Sequence, residues 1–157
     1  MNNGEDLPWD DQPALAVRAI ARAEADRLEA AAAAAWDAAA ARGPAVVTVA
    51  GATGNSNTNG TFDRVPAERA PGGPPVYKRR TKTPGGKQPW LFLACNNMWI
   101  VGNTGNKDAR KAAGWAYHPV AVADGKLPHE APAGGWQVST SKGFAKQQSV
   151  RVVGWGQ

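Results

Sequence analysis

The chain has 157 residues, a formal net charge of +5 and one cysteine, with 18 glycines, 12 prolines and 7 tryptophans. That length allows one domain with an appendage. A single cysteine excludes an internal disulfide framework, and no apolar run approaches the length of a membrane span.

The charge is unevenly divided. Residues 1–43 carry 4 basic and 8 acidic side chains, whereas residues 44–157 carry 14 basic and 5 acidic. So basic a segment favours an anionic partner.

Residues 1–12 read as an acidic, irregular tail. Their polar composition is unlike a signal or transit peptide, so an intracellular, reducing compartment is the expectation. Asp10 or Asp11 suits a helix cap and Pro13 a first turn. From Ala14 to Arg42 alanine dominates, the residue with the highest helix propensity. Gly43-Pro44 then ends the helix, giving an element over 13–43 about 43 Å long at about 1.5 Å per residue. Its apolar stripe is sparse: Val17, Ile20, Leu28 and Trp36, interrupted by Glu24. Trp36 is expected to dock on the chain's own β domain, and Val17, Ile20 and Leu28 to meet a partner.

Residues 44–157 read as short strands separated by glycine and proline turns. Val46–Ala50, Thr61–Val65, Val76–Lys82, Gly114–Tyr117, Val120–Val122, Trp136–Val138 and Val150–Val153 are strand candidates. Trp90 to Gly102 reads as a hairpin turning at Asn96-Asn97. A two-residue turn would pair Leu93 with Ile100 and Phe92 with Val101. Trp90, Phe92, Trp99 and Val101 would then share one face. Both faces of this hairpin are apolar, so it belongs at the buried centre, and Cys95 is expected as a buried, inert thiol. The fold class is α+β: a long N-terminal alanine-rich helix, then an antiparallel β meander, barrel-like or sandwich domain.

The order of signals Asn59-Gly-Thr-Phe62, Gly73-Pro-Pro-Val-Tyr-Lys78, Trp90-Leu-Phe92, Trp99-Ile-Val101, Ala113-Gly-Trp115 and Trp136-Gln-Val138 covers about two-thirds of the chain. It resembles a small β module without a settled name, found in multidomain proteins of algae and marine invertebrates. The resemblance implies an accessory antiparallel module and carries no catalytic residues over.

Several chemical motifs fail on spacing. Gly51-Ala-Thr-Gly54 lacks the third glycine and the following helix of a dinucleotide site, because Asn57 and then Pro66 intervene. Gly85-Gly-Lys87 lacks phosphate-loop spacing. Cys95, His118, His129 and Asp124 form no local nucleophile or metal motif. Val76 to Trp90 resembles the second half of a WW domain, but residues 44–75 lack the earlier tryptophan. Trp115, Trp136 and Trp155 could stack on a sugar, although most tryptophans in a small β domain are core.

The best lead is a basic group: Lys78, Arg79, Arg80, Lys82 and Lys87, with Lys107, Arg110 and Lys111. Flanked by Tyr77 and Trp90, it would suit phosphate contacts and base stacking; alternatively, it guards a strand edge. The expected function is a non-catalytic interaction module with no cofactor, a peripheral subunit meeting other protein subunits through Leu28, Val17, Ile20 and Trp155. Its basic face would meet an acidic protein, nucleic acid or another anionic polymer.

Overall fold

The computed structural model describes residues 8–156, with side chains described from Ala21 onward. Residues 1–7 of the expected acidic tail, and the side chains of Val17 and Ile20, lie outside the described residues.

Helix α1 runs over Pro8–Arg42, so it begins five residues before Pro13. Nine strands follow: β1 Val46–Ala50, β2 Gly60–Arg64, β3 Tyr77–Arg79, β4 Trp90–Leu93, β5 Trp99–Gly102, β6 Ala116–Tyr117, β7 Gln137–Thr140, β8 Gly143–Lys146 and β9 Arg151–Trp155. They form one antiparallel sheet in which each strand pairs with its sequence neighbours, except that β9 returns to pair with β1. The sheet is curled, as an α+β chain with a twisted meander allows.

Alternation along the strands sends one set of side chains inward. Val47, Val49, Phe62, Tyr77, Leu91, Leu93, Trp99, Val101, Ala116 and Val138 form this core, with Trp136, Leu127 and Val150 from the connections. Tyr77 accepts its buried position by donating toward the Pro44 carbonyl at 3.5 Å. Burial pushes its phenol up to about 12.

The final turns of α1 cover one opening of the curl. Trp36 and Ala39 are buried there. Alanine is useful because loops come close: a Cβ on Gly72 would sit 2.9 Å from the Ala33 methyl, and one on Gly125 3.1 Å from the Ala35 carbonyl oxygen. Both glycines have positive φ, which their turns require. Arg64 donates to the Ala40 carbonyl at 2.8 Å and the Gly43 carbonyl at 3.2 Å, satisfying helix-end acceptors. Arg42 pairs with Glu130 at 3.0 Å. By contrast, all residues from 21 to 31 are exposed, with Asp26, Glu29 and Ala30 bordering only an open groove beside Pro71 and Gly72.

The central hairpin is displaced by one residue from its expected register. Leu93 pairs with Trp99, Phe92 with Ile100 and Leu91 with Val101. The turn holds three residues, Cys95-Asn96-Asn97, with Asn97 at φ 64° and its N–H donating to the Ala94 carbonyl at 2.9 Å. Such loops combine a tight turn with a left-handed residue. The slip exchanges partners across the sheet: Leu91, Leu93, Trp99 and Val101 face the core, while Trp90, Phe92, Ala94 and Ile100 form a second buried cluster outside. It also puts Cys95 on the turn, where it is exposed rather than buried.

Val120–Val122 is not a strand: Val120 is exposed, and the Val122 N–H donates to the Asn97 carbonyl at 2.8 Å. Two elements carry no clear apolar signal, the short helix α2 at Thr104–Asp108 and the exposed strand β8.

The loop after β1 meets the connection between β8 and β9 through side chains rather than a ladder. Gln147 exchanges two hydrogen bonds with the Thr53 backbone, at 2.7 and 2.8 Å, and the Ser149 hydroxyl donates to the Gly51 carbonyl at 2.8 Å. The glycine-rich loop 51–59 thus ties a β hairpin to the opposite end of the sheet, and no crossover helix follows it.

Candidate functional site

The basic group expected on one surface divides into engaged and free members. Arg80 makes a bidentate pair with Asp63, both contacts at 2.9 Å. The bond from Arg80 holds the Asp63 carboxyl below its usual range. Arg79 is folded over Gly60 and donates to the Asn57 carbonyl at 2.8 Å; burial lowers its pKa. Arg110 donates to the Leu93 carbonyl at 3.0 Å and the Ala94 carbonyl at 3.3 Å, clamping the hairpin.

Lys107 departs most from expectation. It is buried, pairs with Glu68 and lies 2.6 Å from Asp108. Its ammonium also sits 4.1 Å from the Trp90 ring centroid. Burial works against its charge, but Asp108 and Glu68 outweigh that and raise its pKa. Glu68 and Asp108 therefore matter as much as the lysine; Asp108 adjoins it in the chain, and the fold brings Glu68 to it from 39 residues away.

Lys78, Lys82, Lys87 and Lys111 are exposed and make no ion pair among the described residues. Lys78 lies beside Trp90 across the ladder, 5.5 Å from the ring centroid. The loop carrying Lys82 and Lys87 is stiffened at Thr83, whose N–H donates to the Lys87 carbonyl and whose hydroxyl accepts from the Lys87 N–H, at 2.8 and 3.0 Å. Lys82, Lys87 and Gln88 face Asn103, Thr104 and Gly105 across an open groove of about 480 Å³.

The expected stacking pair does not assemble. Tyr77 points into the core on the opposite face from Lys78, and Trp90 is buried with its indole N–H donating to Thr104 at 2.9 Å. The tryptophan platform is likewise divided: Trp136 is buried and Trp115 half-buried. Trp155 is exposed, beside Val153 on the outer face, and donates to the Thr48 hydroxyl at 3.1 Å. Leu28 is exposed on α1, about two turns before the buried Trp36.

A second concavity was not foreseen. Met98, Ile100, Tyr117 and Phe144 line a groove of about 340 Å³ with Asn96 and the Ala112–Gly114 turn. Tyr117 and Phe144 meet edge to face at 5.1 Å. Phe144 stands alone in a polar stretch, so no periodic pattern marks it.

The remaining reactive groups are dispersed. Cys95 sits on the hairpin turn; His118 is buried, its ring bonded to the Pro132 carbonyl at 2.9 Å and edge-on to Trp136. Asp124 accepts from the Trp36 indole at 3.3 Å. Among the described residues no cluster of histidine, cysteine and acids could hold a metal, and no helix is long and apolar enough to cross a membrane. No family model, curated protein or solved structure matches this chain.

Proposed function

We propose that the chain is a non-catalytic interaction module, a peripheral subunit whose β domain offers lysines to an acidic protein surface. One observation carries this reading: the groove between Lys82-Lys87 and Asn103-Gly105 has two ammonium groups and no carboxylate in its lining. The guanidinium groups of Arg79, Arg80 and Arg110, and the Lys107 ammonium, are already held within the fold, so the free lysines set the surface potential. Lysines on a stiffened loop select a partner by charge and raise its association rate. A nucleic-acid reading would call on stacked bases, and the aromatic rings nearest the lysines are buried.

The test titrates the full chain with labelled polyglutamate and with a labelled single-stranded oligonucleotide of equal charge. Polyglutamate should bind at low salt and weaken about tenfold in the double variant Lys82→Glu, Lys87→Glu, as expected for charges that steer and hold an anion. Tighter binding of the oligonucleotide would overturn the protein-partner reading. Absence of binding by both would overturn the anionic-partner reading altogether.

A further inference from the structure

We infer that the Met98–Phe144 groove docks the acidic segment Glu5–Asp11 of a second copy of this chain. The inference rests on the interaction-module reading, but on a different surface from the lysine groove.

The groove has the character of a docking site. Its floor is apolar, from Met98, Ile100 and Tyr117, and Phe144 remains 49% exposed at its wall. About 340 Å³ lies at the lower end of the range for ligand-binding clefts. Its surroundings are cationic. Lys111 adjoins Ala112 in the lining, while Lys142, just before β8, and Lys146, at its end, flank Phe144, and none of the three makes an ion pair among the described residues. Lys146 shares the outer face with Phe144, two residues away along the strand. No carboxylate lines the groove.

The chain carries a segment of matching chemistry. Glu5-Asp6-Leu7-Pro8-Trp9-Asp10-Asp11 sets two apolar residues among four carboxylates, with no basic residue between Met1 and Gln12. Aromatic anchors flanked by charges opposite to the receiving rim are a common way of fixing register at an interface.

Geometry makes the exchange intermolecular. Trp9 lies within α1, and from Trp9 to Ala33, where the helix meets Gly72, the axis is about 36 Å long at about 1.5 Å per residue. Residues 21–31 are exposed along this length, and the shallow groove that α1 shares with Pro71 and Gly72 begins at Asp26, so toward its N-terminus the helix leaves its own domain rather than crossing it. No glycine or proline lies between Pro13 and Ala33, so that stretch stays a straight rod about 30 Å long and carries the acidic segment away from its own groove. The helix acts as an arm that presents the acidic segment to another copy.

The experiment is sedimentation velocity on the full chain across concentration and salt. Reversible association at low salt that dissolves at high salt is expected. Trp9→Ala and Phe144→Ser should each lose it while keeping the parent's far-ultraviolet circular dichroism and urea midpoint. Mixing these two variants should restore a heterodimer, because one keeps the groove and the other the segment. Asp10→Lys with Asp11→Lys should also lose association and regain it when Lys142→Glu and Lys146→Glu are added. A chain that stays monomeric at low salt overturns the inference. So does association that survives Trp9→Ala and is lost in Leu28→Lys, which would place the contact on the helix shaft. Polyglutamate binding at Lys82 and Lys87 is scored separately, so a monomer that still binds it leaves the proposed function standing.

Discussion

The indole of Trp36, near the end of α1, meets that of Trp99 on β5 edge to face, with ring centroids 6.3 Å apart and planes at 78°. Each N–H is satisfied, Trp36 by Asp124 at 3.3 Å and Trp99 by the Lys126 carbonyl at 2.9 Å. One pair of rings thus joins the helix, the central hairpin and the loop between β6 and β7. Trp36→Ala should cost about 3–5 kcal/mol, the usual loss for a buried tryptophan, and should release the helix from the sheet. Urea unfolding followed by circular dichroism measures the first effect, and limited proteolysis after Arg42 the second. A loss below about 1 kcal/mol, the level of an ordinary point substitution, would mean that the helix is not anchored there.

Lys107 joins two acids to the Trp90 face from a buried position. Lys107→Met keeps the stem but removes the charge. Glu68 and Asp108 are partly solvated, with side chains 39% and 63% exposed, so their release is not ruinous. We expect a loss of about 1–2 kcal/mol from the ion pairs and the ring contact together. The midpoint of urea denaturation should fall accordingly, and an unchanged midpoint would remove Lys107 from the account of the outer cluster.

Glu130 holds the same end of the molecule by charge. It accepts from the Leu127 N–H at 2.9 Å and pairs with Arg42. Burial alone would raise its pKa, but the Leu127 bond and Arg42 lower it below the ordinary 4.5. The folded state therefore binds this proton more weakly than the unfolded state does. Its stabilisation is complete above that ordinary value and is lost as pH falls through it toward the folded pKa. Glu130→Gln should be less stable than the parent at neutral pH and should show a shallower decline into acid. Urea midpoints measured down the acid limb check this, and parallel curves would exclude Glu130 as a contributor.

Cys95 should react fully with a thiol-specific reagent in native buffer, because the three-residue turn leaves it exposed. Asn97→Gly should be tolerated, and Asn97→Val should cost about 1–2 kcal/mol, since a β-branched residue resists the left-handed conformation. A thiol that reacts only in denaturant would favour the two-residue turn instead.

The hairpin shows where sequence is legible and where it is not. Two apolar runs around Asn96-Asn97 mark its place. Its register is hidden because both faces are apolar, so either pairing buries the same kinds of side chain. Val46–Ala50 is easier, because half-buried and buried positions alternate through β-branched residues. Strand β8 has no such mark: Gly143, Ala145 and Lys146 do not differ from loop residues, and only pairing with β7 makes them a strand. Val120 and Val122 mislead in the opposite direction, as apolar residues held in a bend by Asn97. For the charged surface, residue types locate eight cations but not their counterions. Asp63 lies 17 residues from Arg80 and Glu68 lies 39 from Lys107, and topology brings both pairs into contact, whereas Asp108 simply adjoins Lys107 in the chain.

The pairing of β9 with β1 has a consequence for biosynthesis. Val46 waits for Trp155, more than a hundred residues later, so during translation the first strand emerges with one flank unmatched. Val47 and Val49 then remain beside a bare row of amides until the last ribbon leaves the ribosome. The nascent polypeptide is most prone to stray association at that stage, and slow elongation would prolong it.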